Sequence, residues 1–265
     1  MRCSASVRVE RRGEVDVVAD VRSEPPMAIR SSGDRILVAG SAAGPLGGDE
    51  HLLTIDVGPH AHARIGTVAA QMVLPGVSGA ASDARVVADV GDDGCLDWQP
   101  EPMISVVGST HLVATTVRLG VGARCRLVDE IVLGRAGEPA GRLDIAIHVD
   151  RVGRPLLRHA EQYGPGVAGA GSAARIGDAR HVLTAVVVGI TSGASRTVVG
   201  VQGESSVAWL PVAGDAALVV AAGPDRPSVR RLVDRVVPEL AGSMISGDVR
   251  SSPCGSGRSS RPADA

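Results

Sequence analysis

The chain has 265 residues, a formal net charge of −2 and 44% hydrophobic residues, enough to bury one large core or two small ones. All 27 basic residues are Arg, and the absence of Lys excludes a P-loop lysine, a Schiff-base nucleophile and a Ser-Lys dyad. With a near-neutral charge and 1% aromatics there is neither a general pull toward nucleic acid nor a stacking platform for bases.

The interior must be filled by Val, Ala, Leu and Ile, because there is no Phe, one Tyr and two Trp. Their β-branched share favours strands. Cys3, Cys95, Cys125 and Cys254 are scattered, contain no Cys-x-x-Cys pair and read as a reduced cytosolic set. Val7-Arg8-Val9-Glu10-Arg11-Arg12 carries charges where a signal peptide needs an apolar core, and no apolar run is as long as a membrane span. A soluble, cytoplasmic protein is expected, without Asn and so without an N-glycosylation acceptor.

In chain order, Ser6 to Arg22 reads as a hairpin turning at Arg12-Gly13, ended by Pro25-Pro26. A strand from Arg35 to Ala39 leads into Gly44-Pro45-Leu46-Gly47-Gly48-Asp49, a tight turn. It is either an ordinary turn capped by Asp49 or a backbone that approaches a ligand. Leu53, Ile55 and Val57 define the next strand, and Pro59 breaks it before His60-Ala61-His62. On a strand, His60 and His62 point the same way and form a candidate imidazole pair for nickel, copper or zinc, with His51 and Asp49 nearest to complete it. The same spacing also arises by chance. Ala84 to Val90 is a short strand, and Gly91-Asp92-Asp93-Gly94 lacks the oxygen spacing of an EF-hand and reads as a turn.

The most informative stretch runs from Leu96 to Pro139 and reads as one hairpin. Pro100 and Pro102 push Gln99 and Glu101 into extended geometry. A strand follows from His111 to Leu119, Gly120 and Gly122 break it, and a second strand returns. Alternation puts Cys125, Leu127, Ile131 and Leu133 on one face, with Arg124, Arg126, Val128, Glu130 and Val132 on the other. Glu130, between two valines, needs water or a partner. It is either a salt bridge to Arg135 or Arg124, or a functional acid.

Leu143, Ile145, Ile147 and Val149 alternate against Arg142, Asp144, Ala146 and His148, a half-buried strand that leaves His148 on the polar side. Gly153 turns the chain into Pro155 to Glu161, where Arg158, His159 and Glu161 form a polar cluster. Gly164, Gly166 and Gly169 satisfy Gly-x-Gly-x-x-Gly but stand in a loop, so a dinucleotide site is rejected. Strands are expected over Val182 to Ile190, Arg196 to Val201, Val207 to Val212 and Ala217 to Ala222, and no serine sits in a Gly-x-Ser-x-Gly elbow. Val229, Leu232, Val233, Val236 and Val237 recur at helical spacing, with Asp225 as cap and Pro238 as stop. One domain over residues 1–240 and a disordered tail over 241–265, rich in Ser, Gly, Arg and Pro, complete the expectation.

The Trp98-Gln99-Pro100-Glu101-Pro102 corner, Glu130 with Gly134-Arg135 and Gly137-Glu138, the Gly47-Gly48-Asp49 turn and Gly153-Arg154-Pro155-Leu156, taken in this order, resemble the urease accessory protein family UreD, also called UreH. The resemblance covers about the first two-thirds of the chain, with an echo near Trp209. It departs at Val73-Leu74-Pro75-Gly76, which replaces the basic or aromatic tail of a Thr-rich strand. It implies a mainly β, layered, helical structure of many short antiparallel strands with one C-terminal helix; strand pattern alone equally allows a β-sandwich.

The resemblance also implies a non-enzymatic scaffold that docks with UreF and UreG on urease apoprotein and passes nickel to its active site, compatible with a homodimer inside that complex. No tightly bound cofactor is implied, only transient nickel, with Asp49, Glu130 and Glu161 as candidate oxygen ligands. Gly47, Gly48, Trp98, Pro100, Pro102, Gly134, Arg135 and Glu138 are the motif residues. The alternatives are an adaptor whose acids are salt bridges to arginines, or a metal hydrolase built on His60 and His62; no acid, base and nucleophile set supports the latter.

Overall fold

The computed structural model describes residues 1–189, 197–241 and 249–251. The first strands are β1 (Arg2–Arg12), β2 (Val15–Ser23), β3 (Met27–Ser32), β4 (Arg35–Gly40), β5 (Glu50–Val57), β6 (His62–Thr67) and β7 (Gln71–Val73). They are followed by β8 (Ser82–Val90), β9 (Cys95–Gln99), β10 (Met103–Ser105), β11 (Thr110–Leu119), β12 (Arg124–Leu133), β13 (Arg142–Arg151) and β14 (Arg154–Tyr163). The last part holds β15 (His181–Val188), β16 (Val198–Gln202), β17 (Ser205–Pro211), β18 (Ala216–Gly223), α1 (Arg226–Val236), α2 (Pro238–Ala241) and β19 (Val249–Ser251).

Two sheets face each other. The eight-stranded sheet runs β14-β13-β11-β8-β5-β1-β2-β19, and the eleven-stranded one runs β16-β17-β18-β15-β12-β9-β6-β4-β3 with β10 and β7 beside β12. In the middle of the molecule the chain passes from one sheet to the other at each corner, β5 to β6, β8 to β9 and β11 to β12. Each strand therefore bonds in parallel to its equivalents in the neighbouring coils: β1, β5, β8, β11 and β13 in one sheet, β4, β6, β9 and β12 in the other. Antiparallel pairing is confined to the ends: β1–β2 and β3–β4 at one, β13–β14 and the β12–β15–β18–β17–β16 series at the other. The expectation of antiparallel strands is thus corrected to a mixed, solenoid-like stack.

The expected hairpin over Leu96 to Pro139 is corrected for the same reason. β11 pairs with β8 and β13, β12 with β9 and β15, and the Gly120-Val121-Gly122 corner carries the chain across the core. Alternation reports which face is buried and is the same for a hairpin and for a cross-core arch. The corners stack in register. Gly91 N–H donates to Val57 O at 2.8 Å, Gly120 N–H to Val90 O at 2.8 Å and His60 N–H to Asp92 O at 2.9 Å. The stacking brings backbones so close that a Cβ on Gly91 would lie 2.7 Å from Pro59 N, and only glycine fits.

Between the sheets, Val7, Val9, Ile55, Val57, Ile65, Leu96, Val117, Leu127, Ile131, Leu143, Ile147 and Val186 form one core of the aliphatic kind that the composition demands. Burying each such side chain contributes roughly 1.5–3 kcal/mol. A second core lies under α1, where Val229, Leu232 and Val233 meet Val128, Leu183, Val187, Trp209 and Val219. β15 is covered on both sides and all eight of its residues are buried.

The helix begins as expected. The Asp225 carboxylate accepts from Ser228 N–H at 2.7 Å and Pro227 sits in the first turn. Pro238 ends α1 and opens the single turn α2. β3 was not anticipated, its alternation being hidden by Arg30-Ser31-Ser32. Most of the tail expected over 241–265, the ends of the strands expected at Ile190 and Arg196, and Cys254 lie outside the described residues; within that tail Ala241 closes α2. Val249–Ser251 pairs in parallel with β2.

Candidate functional site: a carboxylate-lined cavity between the sheets

Neighbouring residues on a strand point to opposite faces, and on β12 this separates two adjacent acids. Glu130 faces α1 and its side chain is fully buried. It accepts from His181 Nε2 at 2.8 Å and from Arg226 Nε and Nη2 at 3.1 and 3.0 Å. Arg230 adds a bond from Nε at 3.1 Å and a shorter one from Nη2. Arg226 also reaches Glu101 Oε2 at 3.0 Å. Burial pushes the Glu130 carboxyl up, but the bonds from His181, Arg230 and Arg226 outweigh it and bring its pKa down to about 2. Its partners are Arg226 and Arg230 of α1, not the expected Arg135 or Arg124, because the helix and not the neighbouring turn covers this face.

Asp129 points the other way, into a cavity of about 360 Å³ between the sheets. Asp49, His51, Trp98, Met103, Thr115, Ile131 and Ile145 share its walls. Among the described residues the Asp129 Oδ2 has no hydrogen-bond partner. Burial, and then the nearby charge of Glu161, push its carboxyl up to about 6. Thr184 stands opposite Asp129 across the β12–β15 pair, and its hydroxyl donates to Glu161 Oε2 at 3.1 Å. The Tyr163 hydroxyl donates to the same oxygen, and His159 Nε2 lies 3.0 Å from Glu161 Oε1. Burial raises Glu161, but His159, Tyr163 and Thr184 more than compensate, so its carboxyl sits below the usual range. Two carboxyls with opposed shifts thus stand together, one held ionised and one that takes up a proton readily.

Asp49 lines the same cavity and closes the turn before it. Its Oδ2 accepts from Leu46 N–H at 2.9 Å and its Oδ1 from the Met1 amine at 2.7 Å. A Cβ on Gly47 would lie 2.5 Å from Ala80 O, and Gly48 has φ +91°, so both glycines are required by backbone geometry.

His60 and His62 are not brought together. His60 sits in the corner with φ +57°, which breaks the strand alternation on which the pairing rested. It faces Asp93, 3.8 Å away, whereas His62 packs against Asp16 at 3.9 Å, and neither lines the cavity. Among the described residues no three His, Cys, Asp or Glu side chains are arranged to hold a metal ion.

The matching family model is "UreD urease accessory protein", and it spans residues 2–253. The chain belongs to the UreD urease accessory protein family. Similar relatives carry the same description: one from Streptomyces coelicolor is 39% identical over 251 residues, covering 89% of this chain and 96% of the relative. One from Parafrankia sp. is 33% identical over 270 residues, covering 92% and 90%. Another, from Frankia alni, is 35% identical over 272 residues, covering 87% and 90%.

In this UreD chain the remaining motif residues divide between the cavity lining and an exposed turn. Trp98, Pro100 and Glu101 line the cavity, and Pro102 O accepts from Gln71 N–H at 3.0 Å, tying β7 to the corner. Gly134, at φ +78°, starts an exposed turn in which Arg135 and Glu138 pair through two bonds of 2.9 Å. Arg180 clasps this turn by donating to Arg135 O and Glu138 O. Sequence reasoning missed Asp129, His181, Arg226 and Arg230. Strand alternation puts Asp129 on the face of Leu127 and Ile131, a signal in the sequence that was not used. No helix among the described residues is long and apolar enough to cross a membrane.

Proposed function

We propose that this chain acts in urease maturation, docking with UreF and UreG on urease apoprotein and passing nickel through the cavity between its sheets. The observation that carries the reading is Asp129, a carboxylate on a cavity wall beside Glu161 with one oxygen unpartnered among the described residues. Nickel in transit requires ligands that hold it weakly, and oxygen donors with a neighbouring imidazole, here His159, meet that need. Membership of the UreD family supports the destination.

Within this reading Asp129 and Glu161 carry cargo, Asp49 lines the same cavity from just before β5 in the other sheet, and Glu130 holds α1 on the sheet. Asp49 and Glu130 were the first choices from sequence. The three residues that bond Glu130, namely His181, Arg226 and Arg230, argue against its meeting a passing ion, since releasing it strands two arginines. That commitment favours a second reading, a structural adaptor whose acids serve arginines alone.

The test is co-purification with UreF and urease apoprotein, followed by urease activity after nickel, bicarbonate, UreG and GTP are added. The conduit predicts that Asp129→Asn forms the complex but lowers activation about tenfold or more. Full activation by that variant would leave the adaptor.

A further inference from the structure

The cavity between the sheets is walled mostly by carbon: Leu53, Val86, Trp98, Met103, Val113 and Ile145 stand in its lining. The charges in that lining are unbalanced. Asp49, Glu101, Asp129 and Glu130 contribute carboxylates, and Arg85, the arginine of the lining, is already paired with Asp83 at 2.8 Å. Three of these acids are answered by the chain. Asp49 accepts from the Met1 amine, Glu101 from Arg226, and Glu130 from His181, Arg226 and Arg230. Asp129 is the exception, since among the described residues its buried Oδ2 has no partner. A buried charge left without a counterion is costly, so this oxygen calls for a cation.

The walls narrow the kind of cation. A hydrated inorganic ion gains nothing from hydrocarbon around it, whereas removal of apolar surface from water favours a ligand with a hydrocarbon body of its own. The volume of about 360 Å³ lies at the lower end of the roughly 300–1,000 Å³ of small-molecule sites, room for a few carbons and one polar head. Such sites join a mainly apolar lining to a small number of polar groups that fix orientation, and Asp129 supplies one. Trp98 adds an indole to the wall, the ring that attracts organic cations most strongly.

We propose that this cavity binds a small aliphatic ammonium ion, its N–H groups donating to Asp129 Oδ2 and its hydrocarbon body lying against Leu53, Val113 and Ile145. Asp129 comes from β12 of the eleven-stranded sheet and the three apolar residues from β5, β11 and β13 of the eight-stranded one, so the ligand spans the space between the sheets. The inference stands on the cavity and goes beyond the maturation reading. A bound ammonium fills the space which that reading gives to an ion in transit, so the two occupants exclude each other.

The test is calorimetry on the full chain at pH 7.5, where Asp129, with its pKa of about 6, is ionised. Three probes separate charge from body: n-butylammonium, 1-butanol and the ammonium ion. The first should bind saturably and about tenfold or more tighter than either of the others. It should also shift the fluorescence of Trp98, with Trp209, in the second core under α1, as a constant background. Asp129→Asn should reduce n-butylammonium to the affinity of 1-butanol. Val113→Phe, which fills the cavity and leaves the carboxylate in place, should abolish binding of both, and circular dichroism checks that each variant folds. On the parent chain, equal affinity for n-butylammonium and either other probe, or no saturable binding, overturns the proposal. Unchanged binding of n-butylammonium by Asp129→Asn overturns it as well. No urease component is present, so these outcomes are separate from whatever urease activation shows.

Discussion

Asp129 and Glu130 are adjacent in sequence and opposite in thermodynamic effect. The folded-state pKa of Asp129, raised to about 6 by burial and Glu161, means the native protein binds more protons than the unfolded chain between about pH 4 and pH 6. Stability is therefore lost as pH rises through that window. Asp129→Asn should be more stable than the parent at pH 7.5 by about 1–2 kcal/mol, with the difference vanishing below about pH 4 in urea unfolding.

Glu130 has the reverse sign. Its pKa of about 2 contributes stability above the unfolded value, lost as pH falls toward 2. Glu130→Gln strands Arg226 and Arg230 and should cost about 2–4 kcal/mol at pH 7, the larger values of a fully buried pair being reduced because both arginines keep contact with solvent. Thermal melts at pH 7 and pH 3 measure it. Alternation made the facing of both acids legible in the sequence. Their partners were not legible, because His181, Arg226 and Arg230 are brought to Glu130 by tertiary packing from 51 to 100 residues away.

At the scale of elements, the sequence marks where strands start and stop but not what they bond. β11 and β12 were read as a hairpin because Gly120 and Gly122 break the run, yet those glycines serve a corner. A Cβ on Gly120 would lie 2.8 Å from Asp92 N of the coil below. The distinction yields a test. Gly91→Ala should destabilise by about 1–3 kcal/mol through the clash with Pro59 and Gly58. Gly13→Ala, in the hairpin turn at φ +61° with open space around it, should lose only about 1 kcal/mol from backbone strain. Chemical denaturation of both variants decides whether stacked corners or isolated turns set the fold. Helix α1 was legible in full, since its spacing, its cap at Asp225 and the proline after it are all local signals.

For the molecule as a whole, the order of short motifs was enough to place the chain in its family, whereas the cavity was invisible. Its walls come from strands as distant as β5 and β13, and no local pattern records that they face one another. The sheets also show how a parallel stack is brought to a stop. β2 and β3 reverse direction at one end, and β14 and β16 do so at the other. Removing residues 1–24 should strip away β1 and β2 and leave β5 at the edge as one more parallel rung, with its main-chain groups open. Light scattering should then detect particles that grow with protein concentration, while the full chain stays at constant size. A stack of identical-pitch coils is otherwise its own template, and a second molecule could lay its first coil on the last coil of another without limit. The reversed terminal strands act as chain terminators: they keep a fold whose internal logic is that of a fibre from becoming one.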